Sequence, residues 1–92
     1  MVINGNKYKV IENVRNGFEE EALREKFTDY FDQYDYVIGD WAYSNLRLKG
    51  FCKLNNKHFK KLNDFRLKDK YLQEYCATDC KYFVIEKEKP KS

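Results

Sequence analysis

The stretch that decides the fold runs from Tyr34 to Phe51 and reads YDYVIGDWAYSNLRLKGF. It holds the only tryptophan of the chain, Trp41, and it passes from acidic to basic residues along its length. An apolar run, a polar turn and a run with alternating apolar side chains follow one another, which is the pattern of two strands joined by a turn. We therefore predict a β-hairpin built around Trp41.

Further elements are predicted on both sides of this hairpin. Asn16 and Glu19 are spaced like a capping box, and an apolar helical stripe runs from Leu23 to Tyr34, so we predict one helix over this stretch. Gly39 is expected to end the first hairpin strand. The remaining predicted elements are strands over 7–14, 36–38, 45–54 and 81–87, an optional strand over 57–62, and a second helix from 63 or 64 to about 75–76.

These elements give the order β-α-β-β-(β)-α-β, and 92 residues are enough for one domain only. Without the optional strand, this is the order of the ferredoxin-like split β-α-β fold, an α+β fold in which two helices cover one face of the sheet. With the optional strand, an α+β sheet with a different strand order is also allowed. We take residues 1–92 as one domain and predict a frayed tail over 88–92.

The charged residues are unevenly distributed along the chain. Residues 18–40 carry eight acidic and two basic side chains, whereas residues 45–74 carry nine basic and three acidic ones. Such a surface can steer a polyanion to one side, or it can simply be two solvated faces. Three cysteines, an odd number, argue against a disulfide framework, and no apolar run has the length of a signal peptide or a membrane span. We therefore expect a cytoplasmic protein with reduced thiols and no membrane contact.

The hairpin is followed by YLQEYC at 71–76 and by CKYFV at 80–84. Together these three segments resemble the YutD-like family of small proteins from Gram-positive bacteria. The hairpin is similar to the family pattern YDYIVGDWGYGQLRLKGF, and 71–76 and 80–84 are similar to the YLxEYC and CxYFVL motifs that follow it. With the flanking elements the resemblance covers about residues 7–87, and it departs at Ala42 and Ser44, where the family is glycine-rich. The resemblance implies a small intracellular α+β domain. It brings no catalytic residues, since the family has no established biochemical function.

A basic strand suggests a nucleic-acid interface. Lys49, Gly50 and Phe51 fall where an RNA-recognition domain carries its basic, glycine and aromatic motif, and Phe51 would stack on a base. Arg47 and Lys53 would share this face, although Lys53 takes the place of the second stacking aromatic. Further cations extend the predicted surface, namely Lys57, Lys60, Lys61, Arg66, Lys68 and Lys70. The alternative is a basic face that only keeps the protein soluble.

Two aromatics at the hairpin turn suggest a protein interface. Trp41 and Tyr43 would be exposed beside Arg47 if they lie at the tip, and aromatic and arginine side chains dominate interface hot spots. The alternative is that Trp41 packs into the core. Our leading hypothesis is a non-catalytic adaptor or regulatory module that binds a protein partner through residues 41–51. The second hypothesis is RNA or other polyanion binding through Arg47, Lys49, Phe51, Lys53, Lys60 and Lys61.

A zinc site has little support in the sequence. Cys52, Cys76, Cys80 and His58 together contain the donors of a Cys₃His site, but their spacing is wider than that of a zinc knuckle. Cysteines are also often small buried hydrophobes, and Cys76 with Cys80 could instead form a redox pair. We predict no bound metal and no cofactor.

Enzymatic activity has little support as well. Asp35, Asp40 and His58 are the only suggestive acid–base groups, and the chain contains no recognisable nucleophile motif and no phosphate-binding glycine loop. Asp40 is expected to cap the hairpin turn. We therefore predict that the protein is not an enzyme.

Overall fold

The computed structural model describes residues 1–75 and 80–88, which form five strands and two α-helices. Strands β1 to β5 cover Val2–Ile3, Asn6–Val14, Tyr36–Ala42, Asn45–Phe51 and Tyr82–Lys87. Helices α1 and α2 cover Glu20–Lys26 and Lys68–Tyr75. Short 3-10 turns lie at Asp29–Gln33, Lys61–Asn63 and Phe65–Leu67. The predicted frayed tail falls largely on residues 89–92, and Cys76 also lies outside the described residues.

The five strands form one antiparallel sheet in the order β1-β2-β5-β3-β4. The predicted α+β class is therefore confirmed, but the ferredoxin-like order is wrong, because that order would place the last strand at an edge. Strand β5 instead lies between β2 and β3. Its residues Phe83, Val84 and Ile85 are fully buried, and they project alternately to the two faces of the sheet. A strand that is apolar on both faces is stable only where both faces are covered.

The two helices cover opposite faces of this sheet. On one face, Leu23 of α1 packs with Val37 and Phe83. On the other face, Tyr71 of α2 packs against the cluster that contains Phe51. We call these the α1 face and the α2 face. The prediction that both helices share one face is therefore wrong, because the doubly apolar β5 requires a cover on each side.

The first helix is shorter than predicted. It ends at Lys26, because the backbone of the next residue, Phe27, is extended (φ −77°, ψ 123°), and a 3-10 turn then runs from Asp29 to Gln33. Side chains of the predicted stripe still face the core, since Leu23, Phe27 and Tyr34 are buried. The predicted capping box is wrong, because Asn16 lies in a turn with φ 56°, before the helix begins at Glu20.

The hairpin forms as predicted, but its first strand, β3, is longer than the predicted strand over 36–38. Strand β3 continues through Gly39, where a Cβ atom would lie 2.2 Å from the ring of Phe83, so this glycine is required by packing and does not end the strand. Tyr43 and Ser44 form the turn with φ angles of 52° and 70°. Two consecutive positive φ angles are typical of a type I′ turn, the connection that matches the twist of a two-stranded ribbon.

The segment after β4 forms no strand over 57–62. Cys52 instead pairs with the segment just before α2, because its N–H donates to the Asn63 carbonyl (2.7 Å) and its carbonyl accepts from the N–H of Phe65 (3.1 Å). The Asp64 carboxylate accepts the N–H of Arg66 and caps the turn that leads into α2. The helical region therefore starts at Asp64, one of the two predicted positions, but it opens with the 3-10 turn Phe65–Leu67, and α2 itself begins only at Lys68.

Candidate functional site

The hairpin places Trp41 and Phe51 on opposite faces of the sheet. Trp41 lies half-buried on the α1 face, where its Nε1 donates a 2.7 Å hydrogen bond to the carbonyl of Gly17. The Nζ of Lys81 lies 5.1 Å from the centre of the indole. Tyr43, at the turn, is 99% exposed. Trp41 therefore contributes to the core, and Tyr43 is the aromatic that the turn presents to solvent.

Phe51 lies beneath α2 and is only 1% exposed. Its ring centre lies 5.6 Å from that of Tyr71 and 6.3 Å from that of Phe65. The prediction that Phe51 projects from an accessible strand face is wrong, because the sequence pattern does not reveal that α2 covers this face. No base could stack on Phe51 unless α2 moved away.

Arg47 and Asp40 form an ion pair on the α2 face. The Arg47 Nε lies 3.0 Å from the fully buried Asp40 carboxylate, which also accepts the Tyr71 hydroxyl at 3.1 Å. Arg47 reaches further and donates to the carbonyl of Tyr75 at 2.6 Å. The hydrogen bond from Arg47 to Asp40 raises the pKa of Arg47. Asp40 therefore links the hairpin to α2 and does not cap the turn as predicted.

The other predicted cations are spread over the surface. Lys53 pairs with Glu86 at 3.3 Å, and its Nζ lies 5.5 Å from the ring centre of Tyr36. Lys49 lies 5.9 Å from the centre of the Phe51 ring and borders a groove between β4 and α2. Lys60 and Lys61 are exposed in the segment before α2, where Lys60 borders a different cavity. The sequence prediction therefore named cations that belong to separate sites.

The groove between β4 and α2 has a volume of about 390 Å³, and we call it the β4–α2 groove. Phe51 and Tyr71 are part of its lining. Three apolar side chains line it while remaining accessible: Leu62 (84% exposed), Leu67 (39%) and Tyr75 (56%). Charged side chains complete the described lining, namely Lys49, Lys70 and Glu74.

Sequence reasoning missed this groove. The apolar pattern of the second predicted helix suggests that Leu67 and Tyr75 face inward, but Leu67 lies just before α2, Tyr75 is its last residue, and both are exposed. Leu62 gave a usable signal, because it interrupts a basic segment with a large apolar side chain. Exposed apolar side chains that converge on one concavity are typical of a binding surface.

The zinc candidates do not form a site in the described part of the chain. Cys52 is free and fully buried, and burial together with the nearby Asp35 carboxylate raises the pKa of its thiol. Cys80 is disulfide-bonded, contrary to the expectation of reduced thiols, so it offers no thiolate. His58 is exposed, and Cys76 lies outside the described residues. Within residues 1–75 and 80–88, no three His, Cys, Asp or Glu side chains are grouped to hold a metal ion.

The three candidate acid–base groups, Asp35, Asp40 and His58, lie in separate environments. Asp40 is held by Arg47 and Tyr71, whereas the Asp35 carboxylate accepts the N–H of Lys53 at 2.8 Å. His58 borders a cavity whose described lining includes neither aspartate.

Among the described helices, none has the length and apolarity needed to cross a bilayer.

Comparison with known proteins identifies the family. The family model described as "Putative antitoxin YutD-like" matches residues 2–86. The chain belongs to the YutD-like family. The YutD-like resemblance of the hairpin, 71–76 and 80–84 is thereby confirmed.

Two relatives support this assignment. A Bacillus subtilis (strain 168) protein named "Putative antitoxin YutD" is 36% identical over 87 residues, which cover 95% of this chain and 96% of the relative. The solution NMR structure of the B. subtilis protein yutD matches with a TM-score of 0.82 and 34% identity, covering 100% of this chain and 84% of the other. The fold of this YutD-like chain is therefore shared with an experimentally determined structure.

Proposed function

We propose that this YutD-like protein is a non-catalytic adaptor or regulatory protein whose β4–α2 groove binds an apolar, acidic segment of a protein partner. The observation that carries the proposal is the convergence of Leu62, Leu67 and Tyr75 on one groove while all three remain accessible. When a partner covers large apolar side chains in a concave surface, their burial makes the free energy of binding more favourable.

Burial of these apolar side chains by a partner contributes substantially to the free energy of binding. Full burial of a leucine side chain contributes about 1.5–3 kcal/mol, and Leu62 is 84% exposed before any partner binds. Tyr75 adds an aromatic ring whose centre lies 5.0 Å from that of Tyr71, and tyrosine is enriched at interface hot spots.

The rigidity of the groove also favours binding. The buried Asp40 accepts hydrogen bonds from Arg47 in β4 and from Tyr71 in α2, so the two walls are tied together. Arg47 adds a second tie to the carbonyl of Tyr75 at the end of the helix. A preformed groove loses little conformational entropy when a partner binds.

Charge defines the chemistry of the partner. Lys49 and Lys70 line the groove together with the carboxylate of Glu74, and residues 45–74 as a whole carry nine basic and three acidic side chains. A partner segment with a large apolar anchor flanked by Asp or Glu would complement this surface, and the opposite charges would speed its association. The name of the B. subtilis relative, "Putative antitoxin YutD", also fits a protein that acts by binding another macromolecule.

The test is site-directed photo-crosslinking in the native host. A benzophenone amino acid is placed at position 62, inside the groove, and in a matched variant at position 54, where Leu54 is 61% exposed and lies outside the described lining of the groove. We expect a discrete protein adduct from position 62 alone, with the crosslink mapped to an acidic, apolar segment of the partner. Equal adducts from both positions, or none from position 62, would reject the groove as the interface.

A further inference from the structure

We propose that a second cavity, separate from the β4–α2 groove, binds the phosphate and base of a nucleotide, either free or within single-stranded RNA. This cavity of about 300 Å³ lies between the 3-10 turn that follows α1 and the loop that follows β4. Its volume is at the lower end of the range found for small-ligand sites, about 300–1,000 Å³. We call it the Tyr30 cavity. The proposal is independent of the proposed function, because the described linings of the two sites have no residue in common.

The Tyr30 cavity is lined by groups that can donate hydrogen bonds to an anion. Lys57, His58 and Lys60 are all exposed at its border. The hydroxyl of Tyr34 donates to the hydroxyl of Tyr30 at 2.8 Å, so the hydrogen of Tyr30 remains available to a ligand. Among the described residues that line the cavity, none carries a carboxylate. Such a lining favours a phosphate group over a cation or a neutral ligand.

Two asparagines fix the loop that presents these cations. Asn56 donates to the carbonyl of Gln33 at 3.0 Å and accepts the N–H of His58 at 2.7 Å. Asn63 accepts the N–H of Lys60 at 2.8 Å and donates to the carbonyl of His58 at 3.2 Å. These side-chain bonds replace regular secondary structure in most of this segment. The cations are therefore held on an ordered frame, which lowers the entropy lost on binding.

Aromatic rings at the same border supply a surface for a base. Tyr30 is 60% exposed, and the half-buried Phe59 lines the same cavity. Proteins that bind single-stranded RNA combine cations for the phosphates with aromatic rings on which bases stack. The Tyr30 cavity provides this combination, which the sequence pattern placed at Phe51.

The test is fluorescence anisotropy with a short labelled oligouridylate in low salt. We expect the wild-type protein to bind and the variant Lys57→Gln/Lys60→Gln to bind at least about tenfold more weakly. The salt dependence of binding should also become weaker, since each single-strand phosphate that a cation neutralises contributes about 0.7 to the slope of log K against log salt. Tyr30→Phe keeps the ring but removes the donor, and it should weaken binding by about tenfold, the usual effect of removing a hydrogen bond to a charged group.

The control variant is Lys70→Gln, which changes one charge in the β4–α2 groove and should leave RNA binding unchanged. Competition by uridine monophosphate would assign the cavity to free nucleotides, whereas competition by oligonucleotides alone would assign it to RNA. The proposal is overturned if Lys57→Gln/Lys60→Gln binds as the wild type does, if Lys70→Gln weakens binding equally, or if a phosphopeptide competes as well as the oligonucleotide.

Discussion

Replacing Arg47 by Gln should destabilise the protein more than replacing its partner Asp40 by Asn, although both changes remove the same ion pair. The reason is the unequal exposure of the two side chains, which is 43% for Arg47 and 0% for Asp40. Arg47→Gln leaves a buried carboxylate that still accepts the Tyr71 hydroxyl but has no cation beside it. Asp40→Asn leaves a guanidinium that can turn to solvent.

The expected magnitudes follow from this asymmetry. Removing one partner of a buried ion pair costs about 3–5 kcal/mol, and the Tyr71 hydroxyl keeps Arg47→Gln near the lower end, at about 3 kcal/mol. Asp40→Asn loses charged hydrogen bonds without trapping a charge, which costs about 1.5–2 kcal/mol. A domain of this size loses about 4–8 °C in Tm per kcal/mol, so Arg47→Gln should lower Tm by roughly 12–24 °C.

The assay is urea unfolding followed by circular dichroism, with thermal unfolding as a second measurement. The control is Glu20→Gln, which removes one charge from the exposed pair with Arg24 (3.0 Å). That pair is spaced i,i+4 on a helix and should contribute about 0.5 kcal/mol or less. The reasoning is refuted if Arg47→Gln costs no more than Asp40→Asn, or no more than Glu20→Gln.

Three further predictions concern packing, the turn and pH. Gly50→Ala should cost about 2 kcal/mol in urea unfolding, because its Cβ would lie 2.1 Å from the ring of Tyr34, and an unchanged midpoint would contradict this packing. Tyr43→Asn with Ser44→Gly should stabilise the hairpin by about 1 kcal/mol, because both positions have positive φ angles that Asn and Gly adopt more readily; a loss of stability would argue against the type I′ turn. Burial raises the pKa of Tyr8 and of Tyr34 to about 12. Both phenols therefore stay neutral in the folded state while the unfolded state ionises above pH 10, so the unfolding free energy should fall between pH 10 and pH 12 by up to about 1.4 kcal/mol per pH unit for each. A flat profile measured by urea unfolding over this range would show that the two phenols are not shielded.

Local patterns in the sequence predicted individual elements better than their arrangement. The hairpin from Tyr34 to Phe51 follows from strand alternation around a short polar turn, and both are local features. Its apolar residues on both faces favour an interior position for β5, but they do not indicate which strands lie beside it. The strand order could not be predicted, because β-α-β-β-α-β is compatible with more than one sheet and long-range pairing decides between them. The break of the first predicted helix at Phe27 also depends on tertiary packing. The sequence does not reveal it, because the apolar stripe continues on both sides of the break.

The site was harder to predict for the same reason. Alternation correctly grouped Arg47, Lys49 and Phe51 on one face of β4, but it does not reveal that α2 lies over Phe51. The groove forms where β4, α2 and the segment before α2 meet, and Leu62 and Tyr75 in its lining remain exposed. Exposure of this kind is a property of the folded surface and not of any single segment.

The measurement that tests the central claim most directly is the affinity of the partner captured at position 62 for two matched variants, determined by isothermal calorimetry with purified proteins. Leu62→Asp places a charge in the β4–α2 groove, and Leu54→Asp makes the same change on exposed surface outside its described lining. We predict that Leu62→Asp weakens binding at least about tenfold, as expected at an interface hot spot. Leu54→Asp should stay within about twofold of the wild type, as a neutral surface change does. Equal affinities for the two variants would contradict the assignment of the groove as the binding surface.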